Sequence, residues 1–386
     1  MTDNALQDRA MGCLAGAAVG DALGGATEGW THSAIRERWG GWVEGVVAPY
    51  HADWRTARPL APYHKGDGHV TDDTLMTHLL VDVYCEKRAH LTAYDVAERL
   101  VPRMIDDPVW IPELEAQALP LQRVFLAEKY MALRLHWGHV DPREAGTGNA
   151  VNCGAAMYMA PIGIVNAADP EAAYAEAIDV AGAHQSSYGR EAAGVLAAAV
   201  AAAMAPGATV ESVLDAALAL AKDGTRAAIE AARTAATRLG HWTDAVTSGA
   251  LRDAVRPFDT VADTYRDQGL GARRPSRVHS IEELPVALAM LVIAKGDWEQ
   301  TVFGGVNYGR DSDSIASMGG AIAGALGGRG AVPDALVQQV ATASKLDLDA
   351  PGRRMAEVTG QIRRADAERQ ARADAAFRAL LGEPGA

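Results

Sequence analysis

Asn307-Tyr308-Gly309-Arg310-Asp311-Ser312-Asp313-Ser314-Ile315-Ala316 is the stretch whose reading decides this chain. It sets two carboxylates among small hydroxyl and amide side chains, then passes into the apolar run 315–326 with Gly319, Gly320 and Gly324. Side chains two apart on a regular helix do not face each other. Asp311 and Asp313 therefore converge only from an irregular turn or from the first turn of a helix, and Gly309 suits a turn there. Capping and the helix dipole favour carboxylates at a helix start as well. Alone, the stretch does not separate a capped helix from a site.

A second stretch repeats the pattern. His69-Val70-Thr71-Asp72-Asp73-Thr74-Leu75-Met76 carries a hydroxyl, adjacent carboxylates and then an amphipathic segment. Leu75, Met76, Leu79, Leu80, Val83 and Tyr84 recur at the helical period. Two acid-bearing helix starts, far apart in sequence, can bring four carboxylates and two hydroxyls to one point. Acids sharing a site repel unless a cation or a proton intervenes. Hard oxygen donors without a cysteine or histidine pair suit Mg²⁺, Mn²⁺ or Ca²⁺ rather than Zn²⁺. A two-metal centre is the natural resolution.

The 386 residues are 49% hydrophobic and 22% charged, the composition of a globular protein with a large core. Aromatics are scarce and alanine and glycine abundant, which predicts closely packed helices. A formal net charge of −13 speaks against nucleic-acid duplexes and anionic membranes as partners. Cys13, Cys85 and Cys153 form no disulfide or zinc pattern. With no secretory signal and no apolar run of spanning length, the expected compartment is the cytoplasm.

Along the chain, residues 6–23 read as a helix with Gly12, Gly16 and Gly20 spaced by four, a stripe that lets another backbone come close. Gly20-Asp21-Ala22-Leu23-Gly24 leads to Glu28 in a Gly-rich turn. Residues 44–70 show little periodicity and read as a long loop over the first acid pair, a lid, with His51, His64 and His69 lacking ligand spacing. Residues 102–143 mix short helical runs with prolines. The Gly-rich segment 146–157 lacks dinucleotide or phosphate-loop spacing. Helices are expected over 171–182, 191–205, 210–239, 281–294 and, on the outside, 365–381. No β pattern stands out. The expectation is one all-α, multi-helix domain over 1–386, with a core of about 6–345 and a helical extension of about 346–386.

Four blocks in order resemble the ADP-ribosylglycohydrolase family, which includes the dinitrogenase-reductase-activating glycohydrolases and ADP-ribosylhydrolases. They are 16–28, Thr71-Asp72-Asp73-Thr74, Gly154-Ala155-Ala156-Met157 with Pro161-Ile162-Gly163, and 307–315. The resemblance implies an all-α fold around a cleft holding two Mg²⁺, with Mn²⁺ the substitute. It implies Thr71, Asp72, Asp73, Asp311, Asp313 and Ser314 as ligands, with Asp73 and Asp311 also counted in the catalytic set. Glu28 would stand over the metals as general base or substrate-gating acid. Asn152, Cys153, Gly154, His184 and Arg310 would line the ADP-ribose pocket.

The chain departs from the family where the usual Gly-Gly-Asp-Thr-Asp-Thr reads Gly309-Arg310-Asp311-Ser312-Asp313-Ser314. It also carries Tyr158 where many members have arginine, and Cys153 where asparagine is common. The implied activity is metal-dependent hydrolysis of an N- or O-ribosyl ADP-ribose linkage on a protein or small molecule. Arg310 and Tyr158 raise an alternative, an N-ribosyl hydrolase of a nucleotide or nucleoside using the same metals. A non-catalytic relative resembling a lens crystallin is a third reading, against which the intact acids stand.

Overall fold

Asn4 opens the first helix, Ala5–Gly25, by accepting a bond from Gln7 N at 2.9 Å. This helix has no polar face: every residue from Ala10 to Gly25 is buried. A helix apolar all round belongs in the centre of a protein. Its neighbour is the helix Ser312–Gly327, itself buried from Ser312 to Ala325.

The glycine stripe explains how two such helices touch. A Cβ on Gly12 would strike the Gly324 carbonyl, one on Gly16 would lie 2.6 Å from the Gly320 carbonyl, and one on Gly20 would strike that of Ala316. Gly24 meets the Ser312 carbonyl in the same way. As numbers rise on one helix they fall on the other, so the pair is antiparallel. The C-terminal end of the first helix is thereby delivered to the acidic start of the Ser312 helix. The close backbone approach expected from residues 12–20 is present, and Gly320 and Gly324 reciprocate it.

The computed structural model describes residues 4–54, 64–111, 116–149, 152–258 and 280–382. Around the central pair pack the helices Ser280–Ile293 and Trp298–Tyr308 on one side. Ser187–Ala203 packs against the Ser312 helix and against Pro170–Gly182 and Ala160–Val165. Asp72–Lys87 buries Met76, Leu79, Leu80, Val83 and Tyr84, as its period predicts, and touches both central helices. The fold is all-α.

Some boundaries differ from the sequence reading. The stretch 210–239 is two helices, Val210–Leu220 and Asp223–Ala236, because Ala221 leaves helical geometry (ψ 142°) and Asp223 turns left-handed (φ 43°). A short antiparallel ribbon was not anticipated: Val109–Ile111 pairs with Ala116–Ala118. The terminal helix begins at Ala350 rather than 365 and runs to Leu380. Its packed part is the first third, with Pro351, Gly352, Met355, Val358 and Ile362 buried; beyond Ile362 it is mostly exposed. Of the expected lid, 55–63 lies outside the described residues. Among the described residues no helix is long and apolar enough to cross a membrane.

Candidate metal centre

The centre lies where four segments end. Trp298–Tyr308 stops at Gly309, whose φ 73°, ψ −151° suits only glycine, and whose position against the Trp30 carbonyl leaves no room for a Cβ. Arg310 follows in the left-handed region (φ 61°). Asp311 stands just before the Ser312 helix with Asp313 in its first turn. Two backbone bonds, Arg310 N to Trp30 O at 3.0 Å and Gly29 N to Arg310 O at 2.6 Å, tie this turn to the loop bearing Glu28. Thr27 Oγ1 donates to the Val306 carbonyl at 2.7 Å and Ser312 Oγ to the Gly24 carbonyl at 2.9 Å, fixing the corner from inside. Asn307 exchanges two bonds with the backbone of Val43, at 2.8 and 2.9 Å, and so clasps a neighbouring segment rather than facing the acids.

The start of the Asp72 helix rests on Asp21, a buried carboxylate of the first helix. Asp21 accepts from Thr71 N at 2.9 Å, Thr71 Oγ1 at 2.6 Å, Thr74 N at 3.1 Å and Thr74 Oγ1. An ionised acceptor is thus satisfied by the free N–H groups of a helix start. Asp72 accepts from Phe125 N at 2.9 Å and fastens the following segment.

The two acidic stretches meet through Asp73, Asp311 and Asp313, while Asp72 belongs to none of the converging groups. Oxygens of Asp21, Asp73 and Asp313 lie within 4.8 Å of one another, as do those of Glu28, Asp311 and Asp313. A third group within the same limit joins Asp311 to Glu283 and the sulfur of Cys153. Asp313 and Asp311 are the shared members, so the groups form one continuous acidic seam. Thr71 and Ser314 are buried beside it.

Crowded, buried carboxylates resist ionisation. Burial, then Asp313, pushes Asp21 up to about 6 against the pull of Thr71 and Thr74. Burial, then Glu128, does the same to Asp72, also to about 6. Asp73 is driven well above the usual range by burial and by Asp21, and Asp311 by burial and Asp313. Asp73 Oδ1 is buried with no hydrogen-bond partner. Oxygen donors, mutual repulsion and an orphaned carboxylate oxygen together fit a hard divalent cation. Lys65 also enters the seam: its ammonium pairs with Glu28 and lies 3.1 Å from Asp313 Oδ2.

The residues expected to line an ADP-ribose pocket divide. Cys153 is at the centre, donating to Asp311 Oδ2 at 3.3 Å. Asn152 is beside it but is held by Gln185, whose Nε2 lies 2.6 Å from Asn152 Oδ1. The backbone at Gly154 comes close to a protein side chain: a Cβ there would sit 2.5 Å from Glu128 Oε1. His184 is fully buried, Nδ1 3.0 Å from the Tyr158 hydroxyl and Nε2 3.2 Å from Glu128, and presents no surface to a ligand. Arg310 forks onto buried Glu282, at 2.5 and 2.8 Å, so its charge is directed at that partner. Sequence reasoning missed Asp21, Glu128 and Glu283. Glu128 is a lone acid in a short helix and Glu283 one of an adjacent pair with Glu282 at a helix start; only the polarity of Asp21 within the apolar stretch 10–25 signalled anything.

The ADP-ribosylglycohydrolase profile matches residues 2–371. The chain belongs to the ADP-ribosylglycohydrolase family, and with it to the glycohydrolases. It is 24% identical over 346 residues to the uncharacterized protein YegU of Escherichia coli (strain K12), covering 89% of this chain and 94% of that relative. Among solved structures it resembles an "ADP-ribosylglycohydrolase-related protein complex", with a TM-score of 0.61 at 20% identity over 92% of this chain and 99% of the other. That likeness is one of fold.

Proposed function

We propose that the chain hydrolyses an ADP-ribosyl linkage, N- or O-ribosyl, on a protein side chain or a small molecule, using two Mg²⁺ or Mn²⁺ ions. The observation that carries this is the meeting of Asp21, Asp73, Asp313, Asp311 and Glu28 in one buried seam. Thr71, Asp72, Asp73, Asp311, Asp313 and Ser314 would hold the ions, with Asp21 keeping the Thr71 corner in place. When bound, such ions supply Lewis acidity, lower the pKa of water and offer oxygen-seeking positions to a ribose diol.

Electrostatics supports the metal requirement. A seam of carboxylates without a cation offers a pyrophosphate-bearing ligand no positive charge, and the chain's charge of −13 repels it. Cations at the seam reverse the sign locally. Glu28 stands on a loop pinned through Gly29 and Trp30, half-buried and beside Asp311 and Asp313. Its role is to take the proton of the attacking water, or to orient the ribose hydroxyls as the C1 bond opens. Arg310 and Tyr158, which prompted the nucleotide reading, both have protein partners, so neither is needed to shape a smaller pocket.

The test is release of ADP-ribose from ADP-ribosyl-arginine and ADP-ribosyl-serine peptides, and from small ADP-ribosyl compounds, with Mg²⁺ or Mn²⁺ and after EDTA. Metal-dependent release that Asp313→Asn abolishes supports the proposal. No release from any of these substrates, with metal binding intact, overturns it.

A further inference from the structure

We propose that Lys65 is a tethered cation that competes for one of the two divalent-ion positions, so that the centre binds its first ion readily and its second only by evicting the lysine. The inference rests on the reading of the seam as a metal centre. The Lys65 ammonium pairs with Glu28 and sits 3.1 Å from Asp313 Oδ2, with 17% of its side chain exposed. Glu28 and Asp313 form, with Asp311, a single group whose oxygens lie within 4.8 Å of one another. An ammonium bonded to two members of that group uses the lone pairs that a divalent ion would need, and repels it besides. Asp73 Oδ1, a member's oxygen on the Asp21–Asp73–Asp313 side, has no partner. Asp313 is common to both sides. The Glu28 that Lys65 pairs with belongs only to the Asp311 side and the unpartnered Asp73 Oδ1 only to the other, so the two sides are unequal for a metal.

The lysine is delivered by a built turn. Gly66, Asp67 and Gly68 all have positive φ (126°, 53° and 84°). Asp67 N donates to the Val47 carbonyl at 2.7 Å, and Ser344 Oγ to the Gly68 carbonyl at 3.1 Å. His64 Nε2 meets Asp67 Oδ2 at 2.8 Å. A side chain held this way acts as an intramolecular competitor, at an effective concentration on the order of mM. The same contact occupies Glu28, so filling the second position also frees the proposed base. The centre would be latent at low divalent-ion concentration and become competent as the lysine leaves.

The test is Mn²⁺ titration, followed by calorimetry and by loss of free-ion EPR signal, on the full chain and on Lys65→Met. The wild type is expected to show one tight and one weaker site, and Lys65→Met to tighten the weaker one by at least about fivefold, the low end of ordinary coupling. Equal binding curves for the two proteins overturn the inference. A second measurement needs no variant: acetylation of Lys65, read by mass spectrometry, should quicken as Mn²⁺ saturates, while exposed Lys295 stays constant. An unchanged Lys65 rate would equally overturn it. No Mn²⁺ binding by either protein removes the metal reading itself and this inference with it, an outcome distinct from equal binding.

Discussion

Asp21 accepts both the backbone N–H and the hydroxyl of Thr71, at 2.9 and 2.6 Å, across 50 residues of sequence. This pair sets the direction from which Asp73 enters the acidic seam. Outer partners of metal ligands typically govern about 10–100-fold in metal affinity. Asp21→Asn keeps the volume but replaces one acceptor oxygen with an NH₂ group facing N–H donors. Mn²⁺ affinity by calorimetry is expected to drop within that range, with helicity by circular dichroism retained. Unchanged affinity would show that the Thr71 corner holds itself.

The acids of the seam also predict how stability without metal depends on pH. Asp21 and Asp72 are raised from 3.8 to about 6. Between those values the folded chain keeps protons that the unfolded chain has released, so these groups withdraw stability as pH rises, each by at most about 3 kcal/mol. Asp73 and Asp311 act with the same sign. His69 and His78, held at about 4 chiefly by burial, act oppositely over the same window. The centre's share is therefore read as a difference. The gain in melting temperature at one fixed Mg²⁺ concentration should be larger at pH 7 than at pH 5, because at pH 5 the ion must first displace the protons these carboxylates hold. A gain independent of pH would contradict the raised values.

The helix contact beneath the centre gives a third expectation. A methyl at Gly16 would sit 2.6 Å from the Gly320 carbonyl and 2.7 Å from Trp298 Nε1. Alanine is favoured over glycine in a helix by about 1 kcal/mol, but overpacking a buried contact costs about 1–3 kcal/mol. The steric cost wins because the opposing atom is backbone and cannot turn aside. Gly16→Ala should lower the denaturant midpoint, while Gly41→Ala, with nothing within 4 Å, should not. A Gly16→Ala protein as stable as the parent would mean that the two helices part easily.

Local pattern made much of this readable in the sequence. Thr71-Asp72-Asp73 and Asp311-Ser312-Asp313-Ser314 each sit at a helix start, and Gly12, Gly16 and Gly20 share one stripe. Asp21 shows in the sequence only as a break in an apolar run; its importance comes from Thr71 and Thr74, which no spacing connects to it. Lys65 lies in an aperiodic segment, and what matters about it is where its turn carries it. Glu128 stands alone in its helix and Glu283 sits beside Glu282 in an ordinary acidic first turn, and what each meets comes from other helices. The ribbon at 109–118 is three residues a side and too short to show alternation.

His184 supplies the last prediction, because its surroundings set interior packing against ligand contact. The ring is fully buried between the Tyr158 hydroxyl at 3.0 Å and Glu128 at 3.2 Å. Tyr158→Phe removes one hydrogen bond and little volume, at a cost of about 1 kcal/mol in stability. Since the ring has no exposed surface, KM for an ADP-ribosyl substrate should stay within about twofold, well under the 1.4 kcal/mol that a tenfold change requires. A ring that contacted substrate would lose its orientation with that hydroxyl, and KM would climb while the melting temperature barely moved. Measuring both on one variant decides between the roles: lower stability with constant KM assigns His184 to the interior, and the reverse pattern assigns it to the pocket.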